Sequence, residues 1–112
     1  MTTQKELFTA LTALGLPVAY GEFVDTPENP APEPPFITYQ FTDGRDMHAD
    51  NQNYLGVENF DVELYTPKKD PFTEKLVQDK LKELRLPYTK VEAWIEAEKM
   101  RQVIYTIQIM GG

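Results

Sequence analysis

The only histidine in the chain, His48, sits in Asp46-Met47-His48-Ala49-Asp50, with a carboxylate two residues away on either side. One imidazole and two carboxylates are the raw material of an oxygen/nitrogen metal site. The same composition is also that of a solvated polar loop, which is the simpler account of a lone His between short-range acids. A Ser-His-Asp relay is excluded, because the chain contains no serine. It contains no cysteine either, so thiolate nucleophiles, thiolate metal sites and disulfides are absent, as suits a reducing compartment. Its six glycines are scattered and form no phosphate-cradling loop.

Paired carboxylates are the other route to chemistry. Glu58, Asp61 and Glu63 fall in one predicted strand, and Glu92, Glu96 and Glu98 in or beside another. Residues two apart on a strand share a face, so Asp61/Glu63 and Glu96/Glu98 could each converge as an acid/base pair or as Mg²⁺ ligands. Such a site needs a cleft and a desolvated carboxylate, and no feature of the sequence calls for either. A solvated outer sheet face accounts for these acids, which leaves a small metal-dependent hydrolase as the weakest functional reading. No catalytic, cofactor-binding or metal residue is assigned, and the chain is expected not to be an enzyme.

The elements that would position these groups read in the order α-β-β-β-α-β-β. Thr3-Gln4-Lys5-Glu6 has the form of a capping box, and Leu7, Phe8, Leu11 and Leu14 give the following helix one apolar face, ending at Gly15 and Pro17. Residues 17–23 read as a short strand. In residues 25–35, Asp-Thr-Pro-Glu-Asn-Pro-Ala-Pro-Glu-Pro-Pro, proline removes so many amide donors that the segment cannot lie inside a sheet. Phe36–Thr42 alternates as a strand, with Ile37, Tyr39 and Phe41 on one side. Residues 44–52 form a polar loop, and 53–66 a longer strand with Phe60, Val62 and Leu64 facing one way. Asp70-Pro71 is an N-cap followed by a first-turn proline, opening a helix to about Leu84 whose stripe is Leu76, Val77, Leu81 and Leu84. Thr89–Ala97 and Gln102–Met110 are the last two strands, predicted as a hairpin, with the second the more apolar and central. Leu11-Thr-Ala-Leu-Gly-Leu-Pro17 and Leu81-Lys-Glu-Leu-Arg-Leu-Pro87 share the pattern L-x-x-L-x-L-P, each at a helix end. The expected fold is one α+β domain over residues 1–112, two helices packed on a largely antiparallel or mixed sheet.

With 112 residues and 41% apolar content, the chain can bury about two thirds of its extended surface and needs no covalent staples. No apolar run approaches the ~20 residues that span a bilayer, and the opening Met-Thr-Thr-Gln-Lys-Glu-Leu-Phe is unlike a secretory leader. The formal charge is −7, divided as −9 over residues 1–66 and +2 over residues 67–112. A net-acidic chain repels a phosphate backbone, so specific nucleic-acid binding is not expected; the lysines of the second helix read as a solvated, i,i+4-paired face. The unequal halves suit contact between unlike surfaces of successive copies. Loops on a rigid sheet are where such contacts form. The candidate contact residues are therefore Pro30, Pro32 and Pro34 in the first loop, Arg45, Asp46 and His48 in the second, and Lys68 and Lys69 in the 66–70 turn. Trp94 joins them, because it lies among Lys90, Glu92 and Glu96 on what reads as the outer sheet face, where an exposed Trp favours a protein interface.

Asn59-Phe-Asp-Val-Glu-Leu-Tyr-Thr-Pro-Lys-Lys-Asp70, the Leu86-Pro87-Tyr88 helix exit and Trp94-Ile-Glu-Ala-Glu98 with Gln102-Val-Ile-Tyr-Thr-Ile107 resemble a group of small tail-completion, tail-terminator and head–tail joining proteins of long-tailed phages and prophages of Gram-positive hosts. The resemblance covers most of the chain. It implies two helices on a mixed or antiparallel sheet, built into a homo-oligomeric ring, hexameric in the assembled tail, from chains that can be monomeric when free. The implied partners are the major tail protein and head connector proteins. The implied place is the head–tail interface of the virion, assembled in the host cytoplasm without membrane or cofactor. The alternative is a soluble adaptor or regulator that binds one protein through a sheet edge.

Overall fold

The computed structural model describes residues 2–43 and 57–110. Helix α1 spans Gln4–Thr12, and strands β1 and β2 span Val18–Tyr20 and Phe36–Asp43. Strand β3 covers Val57–Thr66, helix α2 Pro71–Glu83, β4 Thr89–Ile95 and β5 Met100–Met110. This is the expected α+β order.

Local chemistry accounts for the helix limits. The Thr3 hydroxyl accepts from the Glu6 amide at 3.2 Å, and the Glu6 carboxylate accepts from the Thr3 amide at 2.9 Å, closing the capping box. Asp70 caps α2, accepting from the Thr73 amide at 3.1 Å and the Thr73 hydroxyl at 2.7 Å, with Pro71 behind it in the first turn. These two bonds hold the Asp70 carboxyl below its ordinary range.

The repeated L-x-x-L-x-L-P pattern marks the same backbone event twice. Gly15 (φ 88°) and Arg85 (φ 61°), its fifth residues, both adopt the left-handed conformation just past a helix end. At the second site the Leu86 amide donates back to the Leu81 carbonyl at 2.9 Å, and the Arg85 amide to Lys82 at 2.9 Å. Leu86 is buried and Leu16 packs against the core, so each motif stops a helix and plants the next apolar residue.

The five strands lie in the order β1-β2-β3-β5-β4, with β1 and β2 parallel and all other pairs antiparallel. The last strand in sequence, β5, is inserted between β3 and β4. One sheet face is apolar: Ile37, Tyr39, Phe60, Val62, Leu64, Val103, Tyr105, Ile107 and Ile109 are buried, together with Leu7 and Leu11 of α1 and Val77 and Leu81 of α2. Both helices therefore cover the same face. Phe41, expected in this core, is 40% exposed, and Phe72 at the start of α2 is 74% exposed.

Two parallel relations need a crossover, and they take opposite sides. Helix α2 carries the chain from β3 to β4 over the apolar face. Residues 21–35 carry it from β1 to β2 over the outer face, where Phe23 sets its ring edge-on to Phe36 at 5.3 Å. The proline-rich segment thus lies across the sheet and not within it, as its lack of donors requires.

Replacing Arg85 by Gly removes a side chain from a left-handed backbone position and should stabilise the fold by about 0.5–1 kcal/mol. Gly15→Ala should cost about 1 kcal/mol from backbone strain alone, since a Cβ at Gly15 meets no atom within 4 Å. Thermal or denaturant unfolding of the two variants checks both signs.

Candidate interaction surface

The proline-rich crossover is held by few bonds. Gly21, at φ 79°, donates its amide to the Tyr39 carbonyl at 2.8 Å and turns the chain off the end of β1. Thr26 and Asn29 exchange backbone bonds at 3.3 and 3.1 Å, and the Ala31 amide donates to Asp25 Oδ1 at 3.0 Å. Pro30 is exposed, whereas Pro32 and Pro34 are half-buried. Between this segment and the outer sheet face is a groove of about 400 Å³. Its floor includes Phe36 stacked on Tyr65, with ring centres 4.9 Å apart. Ile95, Glu98 and Met100 of the β4–β5 hairpin form the far wall.

Beneath Tyr65 lies Glu63, which the sequence reads as a solvated outer-face acid. The structure corrects this, since Glu63 is only 7% exposed. Its Oε1 accepts from the Tyr65 hydroxyl at 2.7 Å, from Thr38 Oγ1 at 3.3 Å and from Gln102 Nε2 at 3.4 Å, and its Oε2 accepts from Gln40 Nε2 at 3.2 Å. Four neutral donors from β2, β3 and β5 converge on one carboxylate, the arrangement that makes a buried carboxylate tolerable without a cation. Burial, the bond to Glu63 and the negative charge there push the Tyr65 phenol up to about 12. Asp61, on the same face, accepts from Thr106 Oγ1 at 2.7 Å. Of the two carboxylates that could have converged here, Glu63 is thus engaged at both oxygens and Asp61 at Oδ1, by hydroxyl and amide donors. Glu96, in the turn, accepts from Trp94 Nε1 at 2.9 Å and pairs with Lys99, whose bond is the first cause of its lowered carboxyl.

The opposite face carries an ionic cluster that the sequence did not disclose. Glu74 of α2 is buried, with its side chain 4% exposed, yet Lys69 and Lys90 both reach it, at 3.0 and 2.9 Å. Lys69 also bonds Glu92 at 2.8 Å, and Arg101 reaches the same Glu92 oxygen at 3.3 Å. The bond between Lys69 and Glu92 raises the lysine and lowers the carboxyl. Lys69, expected as a contact residue, therefore joins the 66–70 turn to α2 and β4. Lys68 is exposed, and its carbonyl accepts from Thr66 Oγ1 at 2.7 Å.

Trp94 is also corrected. Its register opposite Arg101, with Glu92 opposite Val103 and Lys90 opposite Tyr105, sets it on the helix-covered face and not the outer one. It lies at the sheet edge and stays 46% exposed. Arg45, Asp46 and His48 lie outside the described residues. The structure brings the proline segment and the β4–β5 hairpin together on one face. Lys69 and Trp94 lie on the other, Lys69 bonded to Glu92 and Trp94 opposite Arg101 in the register. Among the described residues no group of three or more His, Asp or Glu is placed to hold a metal ion, and no helix is long and apolar enough to cross a membrane.

Tyr65→Phe should cost about 1 kcal/mol by removing the shortest bond to Glu63, and Glu63→Ala about 2–3 kcal/mol by leaving buried donors unpaired. Because the folded state holds the Tyr65 proton more tightly than the unfolded chain, its contribution is complete below pH ~10 and lost as pH rises toward about 12. Unfolding measured across that window should show this loss in the parent and a smaller one in Tyr65→Phe. Comparison of the chain with protein-family models, with curated proteins and with solved structures gives no match.

Proposed function

We propose that this chain is a virion structural protein of a phage or prophage tail end, forming a ring that completes the tail tube and contributes to the head–tail junction. The observation that supports it is the pair of unlike open edges. Among the described residues, β1 and β4 each have one neighbour, at opposite sides of the sheet. Every residue of β4 before Ile95 is exposed, including Val91 at 60% and Trp94 at 46%. Unpaired edge strands attract further strands unless guarded, and β4 has only Lys90 and Glu92 as charged guards, both engaged in ion pairs. Contact between unlike edges is heterologous, and such contacts close into rings when the rotation per copy allows. The charge difference between the two halves of the chain favours the same head-to-tail sense. The resemblance to tail-end proteins gives this geometry its biological setting, with the tail tube and the head connector as partners.

The same β4 edge supports the second reading, an adaptor that adds one partner strand to its sheet. The two part company in what the chain joins. Electron microscopy of particles assembled without it should show overlong tubes if it terminates the tail, or normal tails detached from filled heads if it joins them. Normal, infectious particles would refute the structural reading. A stable complex with a single non-tail protein, accompanied by no binding to tail tubes, would establish the adaptor.

A further inference from the structure

The groove beneath the proline-rich crossover combines an aromatic floor with a rim of one charge sign. Phe23, Phe36 and Tyr65 form the aromatic part, and the ionisable rim consists of Glu22, Asp25 and Glu98. Among the described residues none of these three carboxylates has an ion-pair partner. Residues 21–35 add Glu28 and Glu33 and contain no Lys or Arg. Glu63, immediately below Tyr65, contributes a further negative charge from beneath the floor.

We infer that this groove is a docking site for a basic segment of a protein partner, which seats an arginine side chain against the Phe36–Tyr65 stack. Carboxylates around a low-dielectric wall focus negative potential and exclude anionic ligands. The ring faces attract a cation through their quadrupole, most strongly once it is desolvated. A hard metal ion would want several oxygens at short range, whereas among the described residues no three acids are placed to hold one and the floor offers rings. A guanidinium is planar, weakly hydrated and able to stack while its edges donate to carboxylates, so the site favours Arg over Lys. Asp25 spends Oδ1 on the Ala31 amide, which shapes the rim, and its Oδ2 has no described partner. A second copy of this chain is a poorer occupant than a basic partner, because both copies carry −7. The inference does not depend on the ring reading.

The test is an NMR titration of the folded chain at low salt with an acetylated, amidated tetra-arginine peptide. The ring resonances of Phe23, Phe36 and Tyr65 should move. The E22Q/D25N/E98Q variant should bind about tenfold more weakly. Asn at position 25 keeps an oxygen for the Ala31 amide, and E22Q alone, on an exposed side chain, gives a smaller loss should the triple variant fold poorly. A control of equal charge change on the helices, E6Q/D79N/E83Q, should keep the parent affinity, and tetra-lysine should bind about threefold more weakly than tetra-arginine. Shifts that avoid the groove, a control variant weakened as much as the groove variant, or equal affinity for the two peptides would overturn the inference.

Discussion

A sheet whose strands are apolar on one side only must be covered on that side, and most of this molecule follows from the requirement. Ile37, Tyr39, Phe60, Val62, Leu64, Val103, Tyr105, Ile107 and Ile109 present a continuous apolar face across β2, β3 and β5. Two amphipathic helices fill it. Among the described residues nothing helical remains for the other face, and the second crossover runs there as a proline-rich strap tied by a handful of amides. The groove and its acidic rim exist because that strap must bridge the sheet without joining it.

The two faces solve the cost of charge differently. On the outer face Glu63 is satisfied by hydroxyl and amide donors, with no cation among the described residues. On the helix side the buried Glu74 is met by two lysines, and Glu92 by Lys69, Lys90 and Arg101. Only Glu74 is buried here, its lysines being 45% and 31% exposed, so its desolvation offsets much of an attraction that solvent also screens. What the cluster does is fix position, holding the 66–70 turn, α2 and the outer edge strand in one register.

Local signals were legible in the residues. The capping box at Thr3, the Asp70-Pro71 start and the two L-x-x-L-x-L-P exits each depend on contacts within a few positions, and each stands where it was expected. The fold class followed from alternation and helical spacing. The β4–β5 hairpin and the interior place of β5 followed too, but the pairing of β5 with β3 did not, because it joins residues far apart in the chain. Trp94 was set on the wrong face for a related reason. Its neighbours Lys90 and Glu92 look like a solvent face, yet they lie on the helix side, where Glu74 meets the lysine and Lys69 and Arg101 meet the carboxylate, while Val91 points outward beside Ile104. The burial of Glu63 was hidden because alternation tells which side a residue takes and not what converges there. Thr38, Gln40, Tyr65 and Gln102 were visible as polar positions, but only their register makes them one set of donors.

The insertion of β5 between β3 and β4 has a bearing on how the molecule comes into being. A ribosome delivers β4 before β5, and β4 has no described neighbour in the sheet except β5. Until that last strand is supplied, β4 has nothing to pair with, β3 lacks half its ladder, and α2 covers a gap. The sheet therefore cannot be complete before β5 is made, and a chain halted short of it has β3 and β4 with no strand to join them.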